Sequence, residues 1–150
     1  MTTTSSTTTR ELVTFRVAEQ WFGVPVLAVQ EVLVAQRVAR VPLAPREVTG
    51  LLNLRWQIVT AINLHRRMEL GTGPEGDPMN VVVRDGEELF ALVVDEVGDV
   101  VPVPDQAFES VPATLDTCWK GACAGVVQRE SDLLAVLDPH RVLSDSTTSS

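Results

Sequence analysis

The residues able to do chemistry are few. The 150-residue chain carries two histidines, His65 and His140, two cysteines, Cys118 and Cys123, and a short acidic stretch, "VVDEVGDV", holding Asp95, Glu96 and Asp99. Each histidine stands beside an arginine and reads as a surface side chain rather than a general base. Acids gathered around a glycine are the ordinary composition of a loop between strands, although three carboxylates so close also suit a cation or acid–base work. A Cys-x4-Cys pair without further Cys or His is poor zinc chemistry, since zinc takes four close ligands. No G-x-S-x-G, H-E-x-x-H or Walker loop is present. A nucleophile, a base and an oxyanion donor cannot all be nominated, so catalysis is the weaker hypothesis and no cofactor or metal is expected.

The frame around these residues is acidic and apolar-rich. Twelve Lys and Arg against twenty Asp and Glu leave a formal charge of −8, which repels phosphate backbones and anionic lipid, so neither nucleic acid nor a membrane surface is an expected partner. Hydrophobic residues make up 45% of the chain, enough for one core without staples. The longest apolar runs, such as "FALVV", are of strand length and far short of the roughly 20 residues a spanning helix needs. Residues 1–10 and 144–150 are Ser/Thr-rich and read as loose tails flanking a domain over 11–143. Without a secretory pattern at the start, a cytoplasmic location with reduced cysteines is expected.

Between the tails the pattern has period two. In "LVTFRVA", Val13, Phe15 and Val17 share a face opposite Thr14 and Arg16, and "WFGVPV" resumes the strand after a turn at Glu19 and Gln20. "VLAVQEVL" shifts to helical spacing, and "APREVTG" reads as a short helix stopped by Gly50. Ile58 to Leu64 alternate as a strand, and "LHRRMELGTGPEGDP" follows as a solvent loop. Hairpins are expected in "MNVVVRDGEELFALVVDEV", with Asp85 and Gly86 at positive φ, and in "AGVVQRESDLLAVLD"; Asp138 caps a last helix in "PHRVL". Short strands at close spacing imply a mostly β protein of barrel type.

A barrel that does no chemistry must work through its outer faces. Here the motifs carry a resemblance. Phe22-Gly23, then Val29-Gln30-Glu31-Val32, Pro45 through Gly50, Asn53-Leu54-Arg55 and Val94-Asp95-Glu96-Val97 occur in order from about Glu11 to Leu143. In this the chain resembles the CheW-like family of chemotaxis coupling proteins. The resemblance implies two intertwined five-stranded β-barrels (SH3-like, the CheW-like fold) with short helices. It also implies an adaptor that bridges chemoreceptor cytoplasmic tips to the regulatory domain of the histidine kinase CheA, recruited to membrane-associated receptor arrays beside other CheW-like domains. A divergent scaffold serving another receptor–kinase pathway, or filling a ring position without signalling, is the alternative. A small-molecule barrel is a more distant one.

Carried over residue by residue, the resemblance implies that Glu31, with Val29 and Val32, faces the kinase, the two valines being equally readable as core. It implies that Arg55 and Trp56, with Asp95 and Val97, border a receptor-facing groove between the barrels; Arg55 reads equally as an internal ion-pair strut. Four positions depart from the family pattern: Trp56 stands where glycine is usual, Thr60 for proline, Asn63 for aspartate and His65 for arginine. Asn63 and His65 are expected to hydrogen-bond each other in place of a charged pair. Trp56 is expected in a turn of ordinary φ, partly exposed or else a structural plug.

Overall fold

The computed structural model describes residues 9–34, 39–40, 42, 48–74, 76–111, 121–129 and 132–142. Eleven strands run through them: β1 Thr9–Val17, β2 Gln20–Pro25, β3 Val29–Val34, β4 Val48–Leu54, β5 Gln57–Asn63, β6 Met79–Asp85, β7 Glu88–Val94, β8 Glu96–Pro104, β9 Phe108–Glu109, β10 Cys123–Gln128 and β11 Leu133–Leu137. They form a six-stranded sheet of order β8-β1-β2-β11-β10-β9 and a five-stranded sheet of order β3-β6-β7-β5-β4. The protein is mostly β with two subdomains, as expected, but the first sheet has six strands rather than five, and both strand orders are open among the described residues.

Period-two geometry explains why the apolar runs are continuous. In β7, Phe90, Leu92 and Val94 enter a cluster shared by both sheets, while Leu89, Ala91 and Val93 enter one inside the five-stranded sheet. A strand buried on both faces has no position left for a polar residue. In the six-stranded sheet, Val13, Phe15, Val17, Ala135 and Leu137 join the shared cluster, and Leu12, Leu134 and Val136 line that sheet's own interior. Each subdomain thus has a private core and one wall of a common one.

β1 is interrupted where it pairs with β8: the register slips between Val13 and Phe15, and the buried Thr14 hydroxyl donates to the Asp99 carbonyl at 2.6 Å. Thr14, expected on a solvent face, is therefore interior. The same slip brings Gly98 under Trp21, where an added Cβ would lie 2.8 Å from Thr14 Oγ1 and 2.9 Å from the indole. Gly98→Ala is expected to lower stability by about 1–3 kcal/mol through overpacking. Denaturant titration checks it; an unchanged midpoint would mean that Trp21 swings away freely.

Several local expectations are corrected. Val29–Val34 is a strand, preceded only by a 3-10 turn at Val26–Ala28, because pairing with β6 overrides the helical spacing. Of the expected helix over 44–50, residues 44–47 lie outside the described residues and Val48–Gly50 begin β4, with Gly50 (φ 155°) at a register shift opposite β5. Thr9 and Arg10, expected in the tail, pair with Pro104 and Val103. The β1–β2 turn holds Ala18 and Glu19, Gln20 being already in β2. In the β6–β7 hairpin Gly86 alone takes positive φ (67°), since the loop is Gly86-Glu87 and Asp85 is the last paired residue. The β10–β11 hairpin forms as expected, and Asp138 Oδ1 accepts from the His140 amide at 3.0 Å, capping the helical turn at 139–142.

The "LHRR" stretch is not a solvent loop. Leu64–Arg67 forms a short helix, α1, with Leu64, His65 and Arg67 buried. The Arg67 guanidinium donates from Nε to the Val142 carbonyl at 3.1 Å, tying α1 to the C-terminal turn.

Candidate functional site

Two groups of candidate residues separate in space. The first is at the tip of the β4–β5 hairpin. Leu54 pairs with Gln57, leaving Arg55 (φ 53°) and Trp56 (φ 73°) as a two-residue loop with both φ values positive, the type I′ geometry that matches strand twist. The expectation of an ordinary φ at Trp56 is overturned: two-residue hairpin loops favour mirror-image turns whose twist matches the strands, and Asn53 Oδ1 secures this one by accepting from the Trp56 amide at 3.1 Å. The indole is 96% exposed, so it is neither a plug nor packed on its own chain. A non-glycine residue held at positive φ stores backbone strain. Trp56→Gly is therefore expected to leave stability unchanged or raise it by up to about 1 kcal/mol; a fall of several kcal/mol in a denaturant titration would mark the ring as structural.

Arg55 reaches across the mouth of the five-stranded sheet. Its Nη1 donates to Glu31 Oε2 at 2.8 Å, joining the β4–β5 tip to β3 at the opposite edge. Arg55 thus pairs within one subdomain rather than between the two. Glu31 and Arg55, placed by resemblance on two separate surfaces, share one. The side chain of Arg55 is 73% exposed and that of Glu31 18%, so the cation faces outward. Val29 packs against the shared core, whereas Val32 is exposed. Leu27 and Ile58 are also exposed large apolar side chains, which polarity patterning alone does not reveal. By register Ile58 lies level with the β6–β7 turn, two residues before the Thr60–Phe90 pair, and Leu27 lies two residues before the Val29–Val83 pair, toward the same end.

The second group lies between the sheets. His65 Nε2 is 2.8 Å from Asp95 Oδ2, and the same oxygen accepts from the Ala18 amide at 2.7 Å. Since a carboxylate only accepts, Nε2 carries the proton. Asp95 follows β7 of one sheet, Ala18 lies in the β1–β2 turn of the other, and His65 is on α1, so one carboxylate clamps three segments. Ala18 is itself at positive φ (57°). Two expectations fall here. His65 is only 3% exposed rather than a surface residue, because α1 turns it inward. Asn63 and His65 do not bond each other: Asn63 caps α1, its Oδ1 accepting from the Arg66 amide and its Nδ2 donating to the Thr72 carbonyl. His65 Nδ1 is buried without a hydrogen-bond partner among the described residues. A cavity of about 600 Å³ adjoins the clamp, lined among others by Arg16, Glu19, Leu70 and Thr72.

Val97 of β8 pairs with Phe15, packs against the shared core and borders a second depression with Trp21, Gly98 and Arg129. Arg129 forks onto Asp132 at 2.8 and 2.7 Å, and these hydrogen bonds hold the carboxyl below its ordinary range and the guanidinium above. Glu96 pairs with Arg16, so the acidic stretch does not gather its carboxylates, and no cluster fit for a metal occurs among the described residues. Cys123 is buried in the shared core, and Cys118 lies outside the described residues. No described helix is long and apolar enough to cross a membrane.

A two-sheet β scaffold that clamps its own acids and exposes an arginine–tryptophan turn is built as an interaction module. The chain belongs to the CheW-like family: residues 11–147 match the model of the CheW-like domain. Among its relatives, the "Chemotaxis protein CheW" of Treponema pallidum (strain Nichols) is 31% identical over 139 residues, covering 89% of this chain and 82% of that one. The protein of the same description from Bacillus subtilis (strain 168) is 26% identical over 146 residues, covering 95% and 92%. The crystal structure of the scaffolding protein TtCheW from Thermoanaerobacter tengcongensis superposes with a TM-score of 0.79 at 25% identity, covering 87% of this chain and 90% of that chain.

Proposed function

We propose that this chain is a chemotaxis adaptor, a scaffold that couples chemoreceptor cytoplasmic tips to the histidine kinase CheA. The observation that carries the reading is the family match along 11–147, together with likeness over most of the chain to a solved scaffolding protein. An adaptor needs only distinct surfaces with separate affinities. The two groups of residues supply candidates. The β4–β5 tip, with Glu31, Arg55 and Trp56 and the neighbouring Val32, faces the kinase regulatory domain. Val97 and the depression beside it face the receptor, while Asp95 lines the separate cavity at the His65–Ala18 clamp. The working unit is the domain over 11–143 with two intertwined subdomains, extended at its start by Thr9 and Arg10 of β1, acting in the cytoplasm at membrane-associated receptor arrays. The test is reconstitution: a purified receptor-tip fragment and kinase regulatory domain should co-elute only when this chain is added. Failure of a ternary complex to form would refute the reading.

Glu31→Lys sets two cations side by side and removes the partner that orients Arg55. Stability is expected to change by no more than about 1 kcal/mol, since the Arg55 end of the pair is open to solvent, which screens it, while affinity for the kinase regulatory domain falls about tenfold or more. Calorimetric titration decides; equal affinity with a normal melting curve would remove Glu31 from that surface. One observation favours the second reading, a divergent scaffold serving another receptor–kinase pair: the exposed indole at a turn where the family usually has glycine.

A further inference from the structure

We infer that Trp56 is a specificity-determining anchor, admitting a kinase regulatory domain that has an apolar socket with a carboxylate at its rim and holding off one shaped for a bare turn. This rests on the adaptor reading and names the partner chemistry of the β4–β5 tip. The indole projects from the outermost point of a closed hairpin at 96% exposure. The turn is held from below by Asn53 and from the side by the Arg55–Glu31 pair, so the ring is displayed on a rigid base. A flat surface meeting this end would be propped away by the thickness of the ring and would lose direct contact with Arg55. A socket that takes the indole buries a large apolar area at one point, the behaviour of a binding hot spot.

The charge of the partner follows from the neighbour. Of the ion pair beside the indole, the guanidinium is 73% exposed and the carboxylate 18%, so the surface next to the indole shows a cation, although Glu87 and Glu88 of the β6–β7 turn are exposed toward the same end and the whole chain carries a formal −8. Arg55 uses Nη1 for Glu31, and its other donors suit a fork onto a second carboxylate. At physiological salt, charges more than about 8 Å from the guanidinium are largely screened, so Arg55, adjacent in sequence to the indole, sets the charge preferred at the socket's rim.

The experiment uses the full chain and the kinase regulatory domain encoded in the same genome, read by tryptophan fluorescence and by titration calorimetry. Wild type is expected to bind with a blue shift of the exposed indole's emission. Trp56→Gly should bind at least tenfold more weakly without that shift, Trp56→Phe should recover part of the affinity, and the free variants should melt no lower than wild type. Binding of equal strength by wild type and Trp56→Gly would overturn the anchor while leaving the adaptor reading in place. So would a loss that Trp56→Phe does not relieve, or capture of the indole by the receptor-tip fragment instead. Absence of binding to either partner by any form would sink the adaptor reading and the anchor with it.

Discussion

Asp95→Ala is expected to lower stability by about 2–4 kcal/mol, because it strands two donors that converge on one carboxylate oxygen, the buried His65 Nε2–H and the half-buried Ala18 amide. Asp95→Asn keeps an oxygen in that position and should lose roughly half as much, which separates the missing acceptor from the missing charge. Equilibrium denaturation of the three proteins measures it. An acid merely bordering an exposed groove would change stability by no more than about 0.5 kcal/mol on truncation and would act on binding alone. That smaller result would return Asp95 to the partner surface.

Phe15→Ala should cost about 3–5 kcal/mol. For a chain of this size that is a fall in Tm of about 6–20 °C. Phe15 is fully buried, stacks on Phe22 with ring centroids 6.0 Å apart, and sits in the cluster to which both sheets contribute. Since that wall is common, the whole structure should melt in a single transition at the lower temperature rather than one subdomain separating from the other. Two resolved transitions in calorimetry, with only the earlier one moved by the substitution, would show that the private cores suffice for independent folding.

Legibility in the sequence followed the range of the forces involved. Alternation in "LVTFRVA" and the double-sided apolar run "FALVV" identify strands because a strand's side chains obey its own two-residue period whatever surrounds it. "VLAVQEVL" misleads for the same reason in reverse: a few apolar positions fit either period, and the choice was made by β6 lying alongside. Arg55 and Trp56 were legible as an unusual pair in a turn. Their left-handed conformation was not, since it depends on Leu54 and Gln57 being paired so that only two residues remain to reverse the chain.

From its sequence alone this chain is determined to be a mostly β, acidic member of the CheW-like pattern, with no recognisable catalytic motif and with an arginine and a tryptophan where the resemblance implies a partner surface. Those properties reside in composition, local periodicity and the order of short motifs, which need no knowledge of distant contacts. Only the tertiary structure decided that Glu31 and Arg55 are one surface, joined at 2.8 Å across opposite edges of a sheet. It also decided that His65 is buried and clamps Asp95, 30 positions away. Such pairings depend on how the sheets curl and meet, and that is settled by the summed burial of residues far apart in the chain. Neither side chain carries a local mark of the partner it will find.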